Sequence, residues 1–257
     1  MPITSVHNPH LLEIKRAAAH GRLTSDGGVV AEGPHLLGEL FRSRWRVKEV
    51  FLTAEARLRY AELLAGVECP LLELPARTLR ALSTTESTQG IIAIAYPRPW
   101  TWTDVFRPDS VIVVLDGIQD PGNAGAIVRS AEAFGASGIV LTAGTVHFSN
   151  GKLLRASAGS MFRVPYVYEP DRQLVLERLL SSNTRLYALS AQGNAPLSQA
   201  EFSGGCALIV GSEGAGVSSE FLRAAETVYI QTSRVESLNA GVACSIALYE
   251  AARRRNS

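Results

Sequence analysis

The stretch Val111-Ile-Val-Val-Leu-Asp-Gly-Ile-Gln-Asp-Pro-Gly-Asn-Ala-Gly-Ala-Ile-Val-Arg-Ser-Ala-Glu-Ala-Phe134 decides the fold. It opens on a continuous apolar run, the pattern of a strand buried on both faces in a parallel sheet. The run breaks at Asp116 and Gly117 into a loop carrying Asp120, Pro121, Gly122 and Asn123. A helix is expected next, with Asn123 as its N-cap and Ile127, Val128, Ala131 and Phe134 at helical spacing, so that Arg129 projects from the second turn beside the loop. Strand end, glycine-bearing loop and helix start together form the place where α/β sheets collect ligands.

The alternation continues outward from there. Strands are expected near Val111, Gly138, Val164, Arg185, Ala207 and Val228, with helices near Ala124, Leu153, Arg172, Ser218 and Leu238. That order predicts a parallel α/β domain over 109–257. Before it, 97–108 is proline-rich without periodicity and reads as a linker. The first unit, 1–96, starts with a helix capped by Asn8, with Pro9 at its first position and Gly21 as its stop. Strands at 28–31, 47–52, 70–74 and 89–96 then alternate with helices at 34–41, 54–64 and 75–82, a second small α/β unit. The loop 83–88, Ser-Thr-Thr-Glu-Ser-Thr, is polar throughout and expected to be mobile.

At 257 residues, 46% hydrophobic and 19% charged, the chain suits a globular protein of two modest cores. A formal charge of +1 gives no global sign of a polyanion partner and leaves a local basic face open. No signal pattern opens the chain and no apolar run approaches bilayer-spanning length, so a cytoplasmic protein without a membrane partner is expected. The three cysteines, Cys69, Cys206 and Cys244, are odd in number and far apart, which argues against a disulfide framework and a zinc knuckle. His7, His10, His20, His35 and His147 show no ligand pairing, so no metal is expected.

Arg42, Arg44, Arg46 and Lys48 surround Trp45 on the approach to a strand. The cluster suits phosphates, with the ring available for stacking, and also suits a solvated strand edge where charge blocks unwanted pairing. Three further features lie in loops of the second domain. The first loop holds Asn123 and Arg129, readable also as a cap and a surface arginine. Its glycines, Gly117, Gly122 and Gly125, miss the G-x-G-x-x-G spacing, and the next strand ends without an acid for a ribose, which disfavours a dinucleotide-binding domain. The second loop, Gly211-Ser-Glu-Gly-Ala-Gly216, follows an apolar strand and carries Glu213 as its only charge. The third holds Ser237 and Asn239, either of which could cap the last helix.

Together the three loops resemble the signature motifs of the SpoU family of RNA 2'-O-ribose methyltransferases, within the SPOUT superfamily. The resemblance rests on Asp120-Pro-Gly-Asn-Ala-Gly-Ala-Ile-Val-Arg129, on Gly211-Ser-Glu-Gly-Ala-Gly216, and on Glu236-Ser-Leu-Asn239 leading into an alanine-rich helix that ends Leu248-Tyr-Glu-Ala-Ala-Arg253. Arg155-Ala-Ser-Ala-Gly-Ser-Met-Phe-Arg-Val-Pro165 is similar to the family's intervening segment. Asn8-Pro9, Ala31-Glu-Gly33 and Gln89-Gly90 are similar to the RNA substrate-binding domain attached to many ribosomal RNA members. One departure stands out: Tyr229-Ile-Gln-Thr-Ser233 replaces the usual Ile-Pro-Met-x-Gly run.

The resemblance implies methyl transfer from S-adenosylmethionine to a ribose 2'-hydroxyl, in large-subunit (23S) ribosomal RNA before transfer RNA. The alternative is a non-catalytic RNA-binding or assembly module of the same fold, its cofactor site lost at 229–233. It implies Arg129, Asn123, Glu213, Ser237 and Asn239 as catalytic residues and Leu189, Gly211, Ile230 and Leu238 as cofactor contacts. Arg42, Arg44, Arg46 and Arg155 are the candidate RNA contacts. The resemblance casts Arg129 as general base, but a guanidinium resists deprotonation, so the expected role is electrostatic. Strand order by itself points to an unknotted doubly wound sheet. The resemblance implies instead a deep trefoil knot and a homodimer with its site near the subunit interface.

Overall fold

A computed structural model of the chain describes residues 7–255. It divides into two compact units. The first comprises the described residues up to Pro99 together with His147–Arg163, and the second Trp100–Val146 and Val164 onward.

The first unit runs α1 (Pro9–His20), β1 (Val29–Glu32), α2 (Pro34–Arg42), β2 (Arg46–Leu52), α3 (Ala54–Arg59), α4 (Ala61–Leu64), β3 (Leu71–Glu73), α5 (Ala76–Leu82) and β4 (Ile91–Tyr96). Asn8 caps α1 by accepting the His10 N–H, and Gly21 ends it at φ 60°, the left-handed conformation a glycine adopts without strain. The helix expected over 54–64 is two, broken at Tyr60. Four strands form a mixed sheet, β1-β4-β2-β3, in which only β2 and β3 are parallel. Leu11 and Ile14 of α1 and Leu79 of α5 close over Phe51, Ile92 and Ile94, all of them fully buried or nearly so.

The second unit runs α6 (Trp102–Val105), β5 (Val111–Asp116), α7 (Pro121–Ala133) and β6 (Gly138–Leu141), then, beyond α8 (Gly151–Ala156) of the first unit, β7 (Tyr166–Tyr168), α9 (Arg172–Ser181), β8 (Arg185–Leu189), β9 (Ala195–Pro196), β10 (Cys206–Gly211), α10 (Ser219–Leu222), β11 (Glu226–Tyr229) and α11 (Ala240–Arg255). Its seven strands lie in the order β7-β6-β5-β10-β8-β11-β9, every pairing parallel. β5, β6 and β10 are buried at every position, as strands covered on both faces must be. Each fully buried Val, Leu or Ile contributes about 1.5–3 kcal/mol. The two-residue edge strand β9 carried no sequence signal.

Two expectations are corrected. The stretch 97–108, expected as linker, contains α6, because Val105 is buried in the second core and Trp102 stacks edge-on with Phe106. Residues 147–163, expected within the 109–257 domain, cluster with the first unit instead. The reason is local packing: Phe148 and Phe162 cover the Trp45 ring, at centroid distances of 6.5 and 4.9 Å, and Arg163 pairs with Glu39.

Candidate active site

The site begins where β5 ends. Gly117 turns the chain at φ 70° and Asp120 caps α7 by accepting the Asn123 N–H at 2.8 Å, with Pro121 in the first turn. This corrects the expected cap. Helix α7 starts earlier than the pattern suggested, Asn123 lies inside its first turn, and its side chain is released from capping. Arg129 accordingly falls in the third turn rather than the second.

The freed amide has partners. Asn123 donates through Nδ2 to Glu213 Oε1 at 2.8 Å, and its Oδ1 accepts from Asn239 Nδ2 at 2.7 Å. Asn239 Nδ2 also reaches Glu213 Oε1 at 2.9 Å. Its Oδ1 accepts the N–H groups of Gly241 and Val242 at 3.0 and 3.2 Å, so Asn239 caps α11 while bridging to the other two loops. Three residues far apart in sequence thus close one hydrogen-bonded ring, with Asn123 buried and Glu213 and Asn239 exposed.

The glycine loop after β10 is folded on itself. A Cβ on Gly211 would lie 2.0 Å from the Gly216 carbonyl carbon and 2.2 Å from Val217 N. Ser212 and Gly216 form a bridge, with Gly216 N–H donating to Ser212 O at 2.8 Å and Gly216 at φ 69°. Gly211 was expected as a cofactor contact, which calls for space beside its backbone. In the fold that space is filled by the loop's own return, which holds Glu213 at the exposed tip.

Arg129 is exposed and makes no hydrogen bond or ion pair among the described residues. Ser237 is likewise exposed and outside the ring of contacts. Leu189, Ile230 and Leu238 are half-buried. Leu189 ends β8 beside Val210 of β10 and Val228 of β11, and Ile230 follows β11, so these apolar edges lie at neighbouring carboxyl ends of the sheet. The segment 231–237 between them is exposed throughout.

In the first unit the basic cluster is rearranged relative to expectation. Trp45 is only 4% exposed and enclosed by Phe148 and Phe162, so it is not available to stack on a base. The exposed planar surface is Arg46, whose guanidinium lies 4.5 Å over the Tyr96 ring, directly across the sheet. Tyr96 is fixed by donating its hydroxyl to Asp26 at 2.5 Å, and Lys48 pairs with the same carboxylate at 2.6 Å. Arg42 is exposed and paired with Glu39, Arg44 is exposed, and Arg155 lies on α8. Sequence reasoning also missed Glu32. Burial raises this carboxyl's pKa, but hydrogen bonds from Ser83, Thr85, the Thr84 N–H and Thr88 outweigh it and hold it below the ordinary value. The polar loop expected to be mobile is therefore gathered on one buried acid.

Known families match the chain in two consecutive stretches. Residues 110–249 match the SpoU rRNA Methylase family, and 15–93 match an MRM3-like substrate binding domain. Over 249 residues the chain is 31% identical to the 23S rRNA (guanosine(2553)-2'-O)-methyltransferase RlmP of Bacillus subtilis (strain 168), spanning 96% of this chain and 97% of that protein. A crystal structure of an RNA 2'-O ribose methyltransferase, 28% identical, superposes over the full length of both chains with a TM-score of 0.83. The SpoU methyltransferase AviRb from Streptomyces viridochromogenes, in complex with AdoMet, shares the fold with a TM-score of 0.89 at 24% identity, over 98% of this chain and 99% of that one. With its three motif loops meeting at the carboxyl end of the sheet and this likeness running nearly end to end, the chain belongs to the SpoU rRNA methylase family.

Proposed function

We propose that this chain methylates a ribose 2'-hydroxyl of 23S ribosomal RNA, using S-adenosylmethionine. The observation that carries the reading is the ring of Asn123, Glu213 and Asn239 with the uncommitted Arg129 on the adjoining helix. Among the described residues that ring holds neutral amides and one carboxylate and no cation, a donor set that fits a sulfonium. Leu189, Ile230 and Leu238 would face the adenosine, with backbone groups of 211–216 beside them. The cofactor supplies an electrophilic methyl group; everything else is placement and charge. Transfer needs the ribose oxygen in line with that methyl, and its proton leaves as the O–C bond forms. Arg129 has all its donors available to hold a phosphate bidentately and to stabilise developing alkoxide charge. Ser237, exposed beside Asn239, would orient the ribose.

The first unit presents the RNA. Arg42, Arg44, Arg46 and Arg155 would contact phosphate, and Arg46 on Tyr96 offers a flat cation to a splayed base. The chain is proposed to act in the cytoplasm; no helix among the described residues is long and apolar enough to cross a membrane. It is proposed to carry the trefoil knot of its family and to work as a homodimer. Val242, Ile246 and Tyr249 support the dimer, recurring along one face of α11 at 48, 37 and 54% exposure.

The test incubates the protein and labelled cofactor with ribosomal and transfer RNA, then maps 2'-O-methylation by primer extension at low nucleotide concentration. Methylation of 23S RNA that falls at least a hundredfold in Arg129→Ala and Asn239→Ala is expected. Transfer undiminished in both variants would refute the site, and failure to bind S-adenosylmethionine in calorimetry would leave the RNA-binding module, its cofactor turn altered at 229–233.

A further inference from the structure

We propose that Asp116 is a positioning residue that sets where Glu213 meets Asn123 and Asn239; the proposal rests on the methyltransferase reading of that site. Asp116 is the last residue of β5 and its side chain is 1% exposed. Its Oδ2 accepts the Ser218 N–H at 2.7 Å. Its Oδ1 accepts Arg172 Nε at 2.6 Å and Thr142 Oγ1 at 3.1 Å. Arg172 is itself aimed by a second bond, Nη2 to the Ala143 carbonyl at 2.9 Å.

What these bonds join is specific. Gly211, where the glycine loop leaves the sheet, stands in register with Asp116 in the β5–β10 ladder. Ser218, where the loop ends, is bonded to the Asp116 carboxylate. Both ends of the loop carrying Glu213 are therefore fastened at one residue. The next residue, Gly117, begins the loop that leads to Asn123. The same carboxylate thus sets the spacing between the two loops whose tips form the site, although it touches neither Asn123 nor Glu213. Charge-assisted bonds of this kind are short and directional, and a buried carboxylate released by one partner has no water to replace it.

Two substitutions test this at a temperature where both proteins are folded by circular dichroism. Asp116→Asn keeps the shape but leaves one oxygen for donors that now take two. Ser218→Pro removes the N–H that Asp116 accepts, together with a hydroxyl that has no hydrogen-bond partner, at a residue whose φ of −64° already suits proline. Amide exchange within 212–217 is expected to accelerate at least tenfold in both variants, and the Kd for S-adenosylmethionine to rise at least tenfold. RNA affinity should stay within twofold of wild type. A merely structural role would lower Tm and leave cofactor affinity and loop exchange unchanged in the folded protein, and that result overturns the proposal. Should Asp116→Asn not fold, Ser218→Pro carries the test alone. Wild-type protein that binds no S-adenosylmethionine would sink the methyltransferase reading, while the exchange experiment still decides whether Asp116 holds the loop.

Discussion

Gly211 leaves no room for a side chain, and the reason lies five residues ahead of it, where Gly216 and Val217 return across its α-carbon. Gly211→Ala must push that return outward and with it Glu213, since the obstructing atoms are backbone. We expect cofactor affinity to drop at least tenfold in calorimetry, with a stability loss of about 1–3 kcal/mol from overpacking. Arg129 is the opposite case. With no partner among the described residues, Arg129→Ala should leave stability within about 0.5 kcal/mol in thermal denaturation while methyl transfer collapses. A parallel loss of stability would mean the residue holds the fold rather than substrate. Both residues were picked from sequence, but only the tertiary structure separates a glycine its own loop requires from an arginine with no partner among the described residues.

Among the elements, α7 shows how a local signal misleads. Asn123 and Asp120 are both good caps, and the pattern of apolar residues does not choose between them; Pro121, which favours the first helical position, does. The choice decides whether Asn123 is spent on backbone or offered to Glu213. The loop 83–88 misleads in the other direction, since its polarity suggests freedom while Glu32 collects its hydroxyls. Because those bonds hold the Glu32 pKa below its ordinary value, their stabilisation is complete above about pH 4.3, the unfolded value, and is lost as pH falls through the folded one. Glu32→Gln should cost about 1–3 kcal/mol near neutrality. In denaturant titrations the gap to wild type should close as pH is lowered toward about 3, well below the unfolded value. A gap independent of pH would mean the charge of Glu32 does not organise the loop. The arginines ending α11 reach beyond their own helix: Arg254 donates to the carbonyls of Ala200 and Ser198, and Arg255 to that of Gly204, anchoring the stretch before β10.

At the scale of the whole molecule, the exposed face of α11 is what a single chain leaves unfinished. The Tyr249 ring packs edge-on against Phe134 of the same chain and still leaves half its surface uncovered, beside Val242 and Ile246. Val242→Glu with Ile246→Glu should convert a dimer to monomer by light scattering and reduce methyl transfer with little change in monomer fold. A wild-type monomer at working concentration would remove the dimer from the proposal.

The sequence by itself determined the parts governed by local physics: the apolar runs of β5 and β10, the caps of α1, the glycine turns, and the three motif loops with their spacing. Those features depend on neighbours within a few residues, so composition and period suffice to read them. It also identified Asn123, Glu213 and Asn239 separately. Only tertiary structure decided that they form one ring, that Trp45 is covered by residues a hundred positions away, and that Asp116 meets both ends of the loop carrying Glu213. Each of these depends on which distant backbone fills the space beside a residue, and nothing in the residue's own neighbourhood encodes that.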